Sequence, residues 1–161
     1  MDFNAKIRGL PGLLAWREQL RRAGKRLVAT NGCFDVLHLG HVTYLQAARQ
    51  QGDALVVGVT SDKHVAALKG PGRPVNSESD RAAVLAALES VDAAHVFPEL
   101  DARAFLTAIK PDVYAKGGDY TIDTINQDER RLLESMGCKI VLLAGVPGKS
   151  TTATLKKIAS L

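Results

Sequence analysis

A chain of 161 residues, 46% apolar and 24% charged, has the size of one ordinary domain and needs neither disulfides nor a structural metal to hold a core. Its 21 lysines and arginines against 17 aspartates and glutamates leave a formal charge of only +4, spread along the chain, which argues against nucleic acid as a partner and suits a small anion. No apolar run approaches the roughly 20 residues of a membrane span, the N-terminus MDFNAKIRGL lacks the apolar centre of a signal peptide, and Cys33 and Cys138 form no CxxC pair, so the expectation is a cytoplasmic protein with no membrane partner and no zinc site.

Leu10, Leu13, Leu14 and Leu20 recur near helical spacing and stop at Gly24, a natural C-cap, which predicts a helix over about 10–23 with Trp16 packing it onto the domain. Arg26 to Thr30 reads as a buried strand meeting a turn at Asn31-Gly32. From Gly40, Val42, Leu45 and Ala48 share one helical face that Gly52 closes, and Ala54 to Val59 forms a second continuous apolar strand. That is a βαβ unit with parallel strands and a right-handed crossover.

Ser61 to Leu68 looks helical, Lys69 to Pro74 is a loop rich in glycine and proline, and Ser77 to Asp80 offers a capping box ahead of Val84, Leu85 and Leu88. A strand near 93–97, a helix over 101–109, a strand over 112–115, a helix near 125–136, a strand over 139–144 and a helix over 151–159 follow. This alternation predicts an α/β fold in one domain over 1–161, with its core over about 25–159: a Rossmann-like, three-layer α/β/α arrangement around a parallel sheet of about five strands.

The stretch TNGCFDVLHLGH, residues 30–41, sits at the end of the first strand, and ligands of open parallel sheets bind beyond such carboxyl ends. His38 and His41, three residues apart at a helix start, should project to one side beside amides whose dipoles favour an anion. Other chemistries compete for these residues. A zinc site needs a third ligand, and HxxH lacks the glutamate of HExxH. A Cys33 nucleophile with His38 as base is open, though a cysteine in so apolar a stretch is usually an inert buried residue. Two histidines that merely pack a helix start are a further reading, as His64 and His95, without convergent company, are elsewhere.

GCFDVLHLGH resembles the GxFDxxHxGH signature of the cytidylyltransferase-like nucleotidyltransferases, and Gly148-Lys-Ser-Thr-Thr152 resembles the Ser/Thr-rich element that opens a late helix in that family. Within it, TNGCFDVLHLGHVTYL, LKGPGRPVN, RAAVLAALESVD and KPDVYAKGGDY together resemble the heptose 1-phosphate adenylyltransferase group, over about Lys25 to Ile158. The resemblance implies transfer of AMP from ATP to D-glycero-β-D-manno-heptose 1-phosphate, giving ADP-heptose and pyrophosphate in the supply of lipopolysaccharide. A cytidylyltransferase acting on glycerol 3-phosphate, or a nucleotide-binding module without turnover, is the alternative. Positioning and charge must supply the rate of such a transfer, and each preorganised donor contributes on the order of 3 kcal/mol.

By resemblance, His38 and His41 stabilise the α-phosphate and the leaving group, and Lys69 meets phosphate from its loop. Arg73, Arg81 and Gly118 serve the sugar phosphate, with a surface residue paired with a neighbouring acid as the alternative for Arg81, and Asp35 either orients a histidine or meets sugar hydroxyls. The nucleotide falls to Asn31, Gly32, Cys33, Phe34, Gly40, Lys116, Gly117 and Asp119, with Ser150, Thr151 and Thr152 on its β- or γ-phosphate. Mg²⁺ is expected with ATP, held by the triphosphate and water rather than by a protein cage. A homodimer is expected too, and since many relatives carry this domain fused to a sugar kinase, a separate kinase is the expected source of the sugar 1-phosphate.

Overall fold

The structure, a computed structural model, describes residues 2–161. A short 3-10 helix (Phe3–Lys6) precedes α1 (Leu10–Arg22), β1 (Leu27–Gly32), α2 (Leu39–Arg49), β2 (Ala54–Thr60), α3 (Asp62–Lys69) and α4 (Glu78–Ala86). Then come β3 (Ala93–Phe97), α5 (Arg103–Ile109), β4 (Val113–Gly117), α6 (Gln127–Ser135), β5 (Lys139–Leu143) and α7 (Thr151–Ala159). The five strands form one parallel sheet in the order β3-β2-β1-β4-β5. The α/β class, the strand count and the element order are those the sequence predicts.

Alternation along the strands divides the core in two. Leu27 and Ala29 of β1 and Val56 of β2 pack with Leu13, Phe105, Ile109 and Leu133 of α1, α5 and α6. Val28, Leu55, Val57 and Val59 face the other way, onto Leu45, Ala48, Leu85 and Ala86 of α2 and α4. Helices therefore cover both faces, as the unbroken apolar strands require. Each fully buried leucine or valine contributes about 1.5–3 kcal/mol to holding these layers together. Trp16 is partly buried against the first cluster, as expected.

The strand order places the ligand crevice. β1, β2 and β3 extend the sheet one way, and the chain then returns to lay β4 on the opposite side of β1. The helices that follow β1 and β4 thus lie on opposite faces, opening a crevice beyond the carboxyl ends of these two strands.

Two expectations shift here. Asn31 and Gly32 are not a turn but the end of β1, in register with Gly58 and Val59, because the second strand is long enough to template them. Lys116 and Gly117 likewise extend β4, in register with Leu142 and Leu143. At Gly117 a Cβ would lie 2.2 Å from Cδ2 of Tyr44, so only glycine lets the strand pass that ring. Tyr44 hydrogen-bonds Thr30 and donates to the carbonyl of Ala115 at 3.0 Å, tying α2 to both strands that flank the crevice. His95 is buried in β3 with Nδ1 on the carbonyl of Arg8 and its ring stacked on Phe105, an ordinary core role.

Candidate functional site

β1 ends at Gly32, and the loop over 33–37 turns the chain into α2, whose N-cap is His38 in an extended conformation with no side-chain cap hydrogen bond. The first turn of α2 therefore points its amides into the crevice without a capping side chain, a ready anion site. His38 and His41 stack with ring centroids 3.8 Å apart and planes at 23°. His38 lies close over Gly40: a Cβ there would stand 3.0 Å from its Cε1 and Nδ1, and the ring would have to give by a few tenths of an ångström. Phe34 meets His41 edge-on at 5.2 Å.

Nδ1 of each imidazole is buried without a hydrogen-bond partner. Buried polar atoms in folded proteins are almost always satisfied, so an unmet pair marks a place completed by something from outside. Burial lowers the pKa of His41 to about 4, with His38 adding to the effect. Burial also lowers that of His38, helped by the ammonium of Lys149. Both rings are neutral at pH 7, each with one N–H and one lone pair to offer.

The start of α7 closes the crevice from the far side. Thr151 donates its hydroxyl to the carbonyl of Val36 at 3.2 Å, docking the helix on the 33–37 loop, and Ser150 caps it by accepting from the amide of Ala153 at 3.1 Å. Thr152 is exposed, and no hydrogen bond engages its hydroxyl among the described residues. Of the three hydroxyls, only that of Thr152 is uncommitted.

At the end of β4, Lys116 donates to the carbonyl of Asn31 at 3.2 Å, and its ammonium lies 6.0 Å over the ring of Tyr114 and 5.4 Å over that of Tyr120. Burial lowers its pKa, opposed first by Glu129. Gly118 takes φ 104°, which favours glycine, and Asp119 beyond it is exposed. Glu129 of α6 was not foreseen as part of this region. It is 5% exposed, accepts the amide of Ala102 at 2.9 Å and faces the hydroxyl of Tyr114, which in turn donates to Oδ1 of Asn31 at 2.6 Å. A first-turn acid after an Asn126 cap gives no local sign of burial.

Three charged residues differ from expectation. Lys69 belongs to the last turn of α3 rather than to the loop, and is exposed without a hydrogen bond or ion pair among the described residues. Asp35, expected to meet the sugar phosphate, has its carboxylate buried and fully committed. It accepts from Nε of Arg73 at 2.6 Å, from the amide of Val75 at 2.8 Å and from the amide of Asn76 at 2.9 Å. Burial alone would raise its pKa, but the amides of Asn76 and Val75 and the Arg73 guanidinium outweigh that and hold it below the usual carboxylate range.

Arg81 is not a surface residue. At 2% exposed, it donates to the carbonyls of Asn76 at 3.1 Å, Cys33 at 2.5 Å and Thr60 at 2.7 Å, and pairs with Asp62 at 2.8 Å. The cysteine alternative loses its geometry, since Cys33 makes no hydrogen bond with either imidazole. Burial pushes the Cys138 thiol up to about 11, leaving it inert at neutral pH. Among the described residues no group of three or more His, Cys, Asp or Glu side chains gathers to hold a metal.

The structure thus brings Asn31, Gly32, His38, Gly40, His41, Lys116 and the start of α7 around one crevice, while Asp35, Arg73 and Arg81 build its wall. The chain is 52% identical over 155 residues to the bifunctional protein HldE of Methylobacillus flagellatus, covering 96% of this chain and 31% of that protein. It is 51% identical over 144 residues to the protein of the same name from Mesorhizobium japonicum, covering 89% of this chain and 28% of the relative. It therefore spans about a third of the length of these curated relatives. Among solved structures, the lipopolysaccharide core biosynthesis protein of Thermoplasma volcanium superposes with a TM-score of 0.62 at 30% identity, over 76% of this chain and 98% of that one. The model of the cytidylyltransferase-like family matches residues 29–156, a span that begins in β1, takes in both histidines and ends within α7, so the chain belongs to that family.

Proposed function

We propose that this chain transfers AMP from ATP to D-glycero-β-D-manno-heptose 1-phosphate, releasing pyrophosphate and forming ADP-heptose. The observation that carries the reading is the stacked His38–His41 pair, whose two buried Nδ1 atoms have no partner in the protein, set at an uncapped helix start in the switch-point crevice. The adenylyl and heptose halves rest on the resemblance of the KGGDY and LKGPGRPVN segments and on the identity to HldE proteins.

A phosphate oxygen of the sugar attacks the α-phosphorus as the bond to pyrophosphate breaks, so the protein needs no nucleophile of its own. Neutral His38 and His41 donate hydrogen bonds to the α-phosphate and to the departing oxygen as its charge grows. The amides opening α7 and the hydroxyl of Thr152 receive the outer phosphates, and Lys69, on a flexible stem at the end of α3, reaches in from the side. Lys116 and the glycines after it border the nucleoside. Mg²⁺ fits this donor set only as a counter-ion carried by the triphosphate and water, and no step is assigned to it.

Purified protein given ATP or CTP with a panel of sugar and polyol phosphates, and followed by pyrophosphate release, tests the reading. Turnover is expected with ATP and heptose 1-phosphate. Turnover with CTP alone overturns the adenylyl assignment in favour of a cytidylyltransferase, and no release with any pair overturns nucleotidyl transfer altogether. Sedimentation of the same sample decides whether the homodimer we also propose forms.

A further inference from the structure

Phe34 stands between β1 and α2 with φ 48°, left-handed backbone that strains a bulky side chain. Such strain persists only where the surroundings over-determine it. Both flanks of Phe34 are held. On its amino side the carbonyl of Cys33 accepts from Nη1 of Arg81. On its carboxyl side the carboxylate of Asp35 grips the amides of Val75 and Asn76 and the guanidinium of Arg73, while the amide side chain of Asn76 donates back to the carbonyl of Asp35 at 2.6 Å.

One guanidinium joins the two grips, because Arg81 also holds the carbonyl of Asn76 and the end of β2 at Thr60. Lysine could not replace it: several donors at fixed angles are needed to meet three carbonyls and a carboxylate. The result is read at the ring. Phe34 is 8% exposed, rests over Gly32, where a Cβ would come within 3.0 Å of its Cε2, and turns its edge to His41.

We propose that Arg81 and Asp35 are positioning residues for His41: they clamp both flanks of Phe34 in its left-handed turn, and the Phe34 ring holds the His41 imidazole against His38, where phosphate reaches it. The kinetic consequence rests on the nucleotidyl-transfer reading; the geometric one does not. The clamp acts through peptide groups and one aromatic edge, and no charged atom of Arg81 or Asp35 meets a substrate. Small displacements of a reacting group cost rate steeply while leaving ground-state binding nearly intact, so the clamp shows in kcat more than in KM.

The experiment follows His41 by imidazole NMR in the protein without nucleotide, and kinetics beside it, in Arg81→Lys, Phe34→Gly and Phe34→Tyr. In Arg81→Lys the His41 signal is expected to move and its titration midpoint to rise from about 4 toward the ordinary range near 6.5. kcat is expected to fall by roughly 30-fold with nucleotide KM held within about threefold. Phe34→Gly keeps every buried polar bond and accepts the left-handed turn, yet is expected to release His41 in the same way. Phe34→Tyr, which keeps the ring, is expected to leave the His41 titration where the wild type has it.

An unchanged His41 titration in folded Arg81→Lys, or in Phe34→Gly, overturns the clamp. So does a rise in sugar-phosphate KM with kcat intact, which would place Arg81 on the substrate. If Arg81→Lys does not fold, Phe34→Gly decides by the same titration. Should the wild-type protein release no pyrophosphate, the functional reading falls while the titration still judges the clamp.

Discussion

At the amino end of the sheet Arg17, 4% exposed, donates to the carbonyls of Ile109 and Lys110 at the end of α5 and to Asp112, whose carboxylate also takes the amide of Leu27 at the start of β1. At the carboxyl end Arg81, 2% exposed, holds three carbonyls where Arg17 holds two, and likewise a carboxylate. The first arrangement closes a helix end over the core, with one arginine nitrogen, Nη1 of Arg17, left without a partner. The second fixes a loop whose neighbours, His38 and His41, keep unmet Nδ1 atoms. Similar buried arginine chemistry therefore serves closure where the strands begin and preorganisation where they end, and removing a residue at either end should show which is which.

The largest effect is expected at the carboxyl end. His41→Ala removes a donor aimed at developing charge, and turnover should fall on the order of a hundredfold to a thousandfold, read by pyrophosphate release, while the urea midpoint moves little. His38→Ala should behave alike, and because the pair acts as a unit the double variant should lose little more. Undiminished turnover in both would break the comparison at its functional end. The matching cut at the amino end is Arg17→Ala. It strands two helix-end carbonyls and takes one partner from the carboxylate of Asp112, which keeps the amide of Leu27, with an expected loss of about 2 kcal/mol in urea unfolding, and turnover per folded molecule within about twofold of wild type.

Acid sharpens the contrast next. Because burial holds the folded-state pKa of His41 at about 4, below the ordinary value of 6.5, the unfolded chain binds a proton at higher pH than the folded one. Stability on this account is unaffected above about pH 6.5, falls as pH drops from there to 4, and then levels. The loss is on the order of 2 kcal/mol once partial exposure is discounted. Urea titrations between pH 7 and 4 should show the slope, and His41→Asn should flatten that part of it. An equal slope in the variant would assign the effect to another group that titrates in this window, such as His38, whose pKa burial also lowers; Asp35, held below its usual carboxylate range, loses its contribution only at lower pH.

The fold was legible because its signals are periodic and local: unbroken apolar strands, helical faces, and glycines at 24 and 52 that end two helical patterns. The His38–His41 pair was legible as well, since its spacing at a helix start fixes the direction of both rings. What the pattern could not show were partners far apart in the chain. Asp35 and Arg81 were given roles by resemblance alone, and nothing local in the sequence shows what holds them. Their commitment to Val75, Asn76, Cys33 and Thr60 depends on how α4 packs against the sheet. Glu129 escaped for the same reason, looking like a solvated first-turn acid, and so did the left-handed backbone of Phe34, a residue the resemblance had given to the nucleotide.

The smallest effects distinguish neighbours on α7. The hydroxyl of Thr151 is spent on the carbonyl of Val36, so Thr151→Val should cost about 1 kcal/mol of stability by leaving that carbonyl unmet, and should loosen the helix from the 33–37 loop. The hydroxyl of Thr152 has no such bond, and Thr152→Val should leave the urea midpoint in place while raising the ATP KM by roughly three- to tenfold, the share of one neutral hydrogen bond to phosphate. Adjacent residues of one type on one helix would then divide as the two ends of the sheet do, one for holding the fold and one for the ligand. If Thr152→Val instead unfolds early and binds ATP normally, the start of α7 is scaffold throughout and the outer phosphates must be held elsewhere.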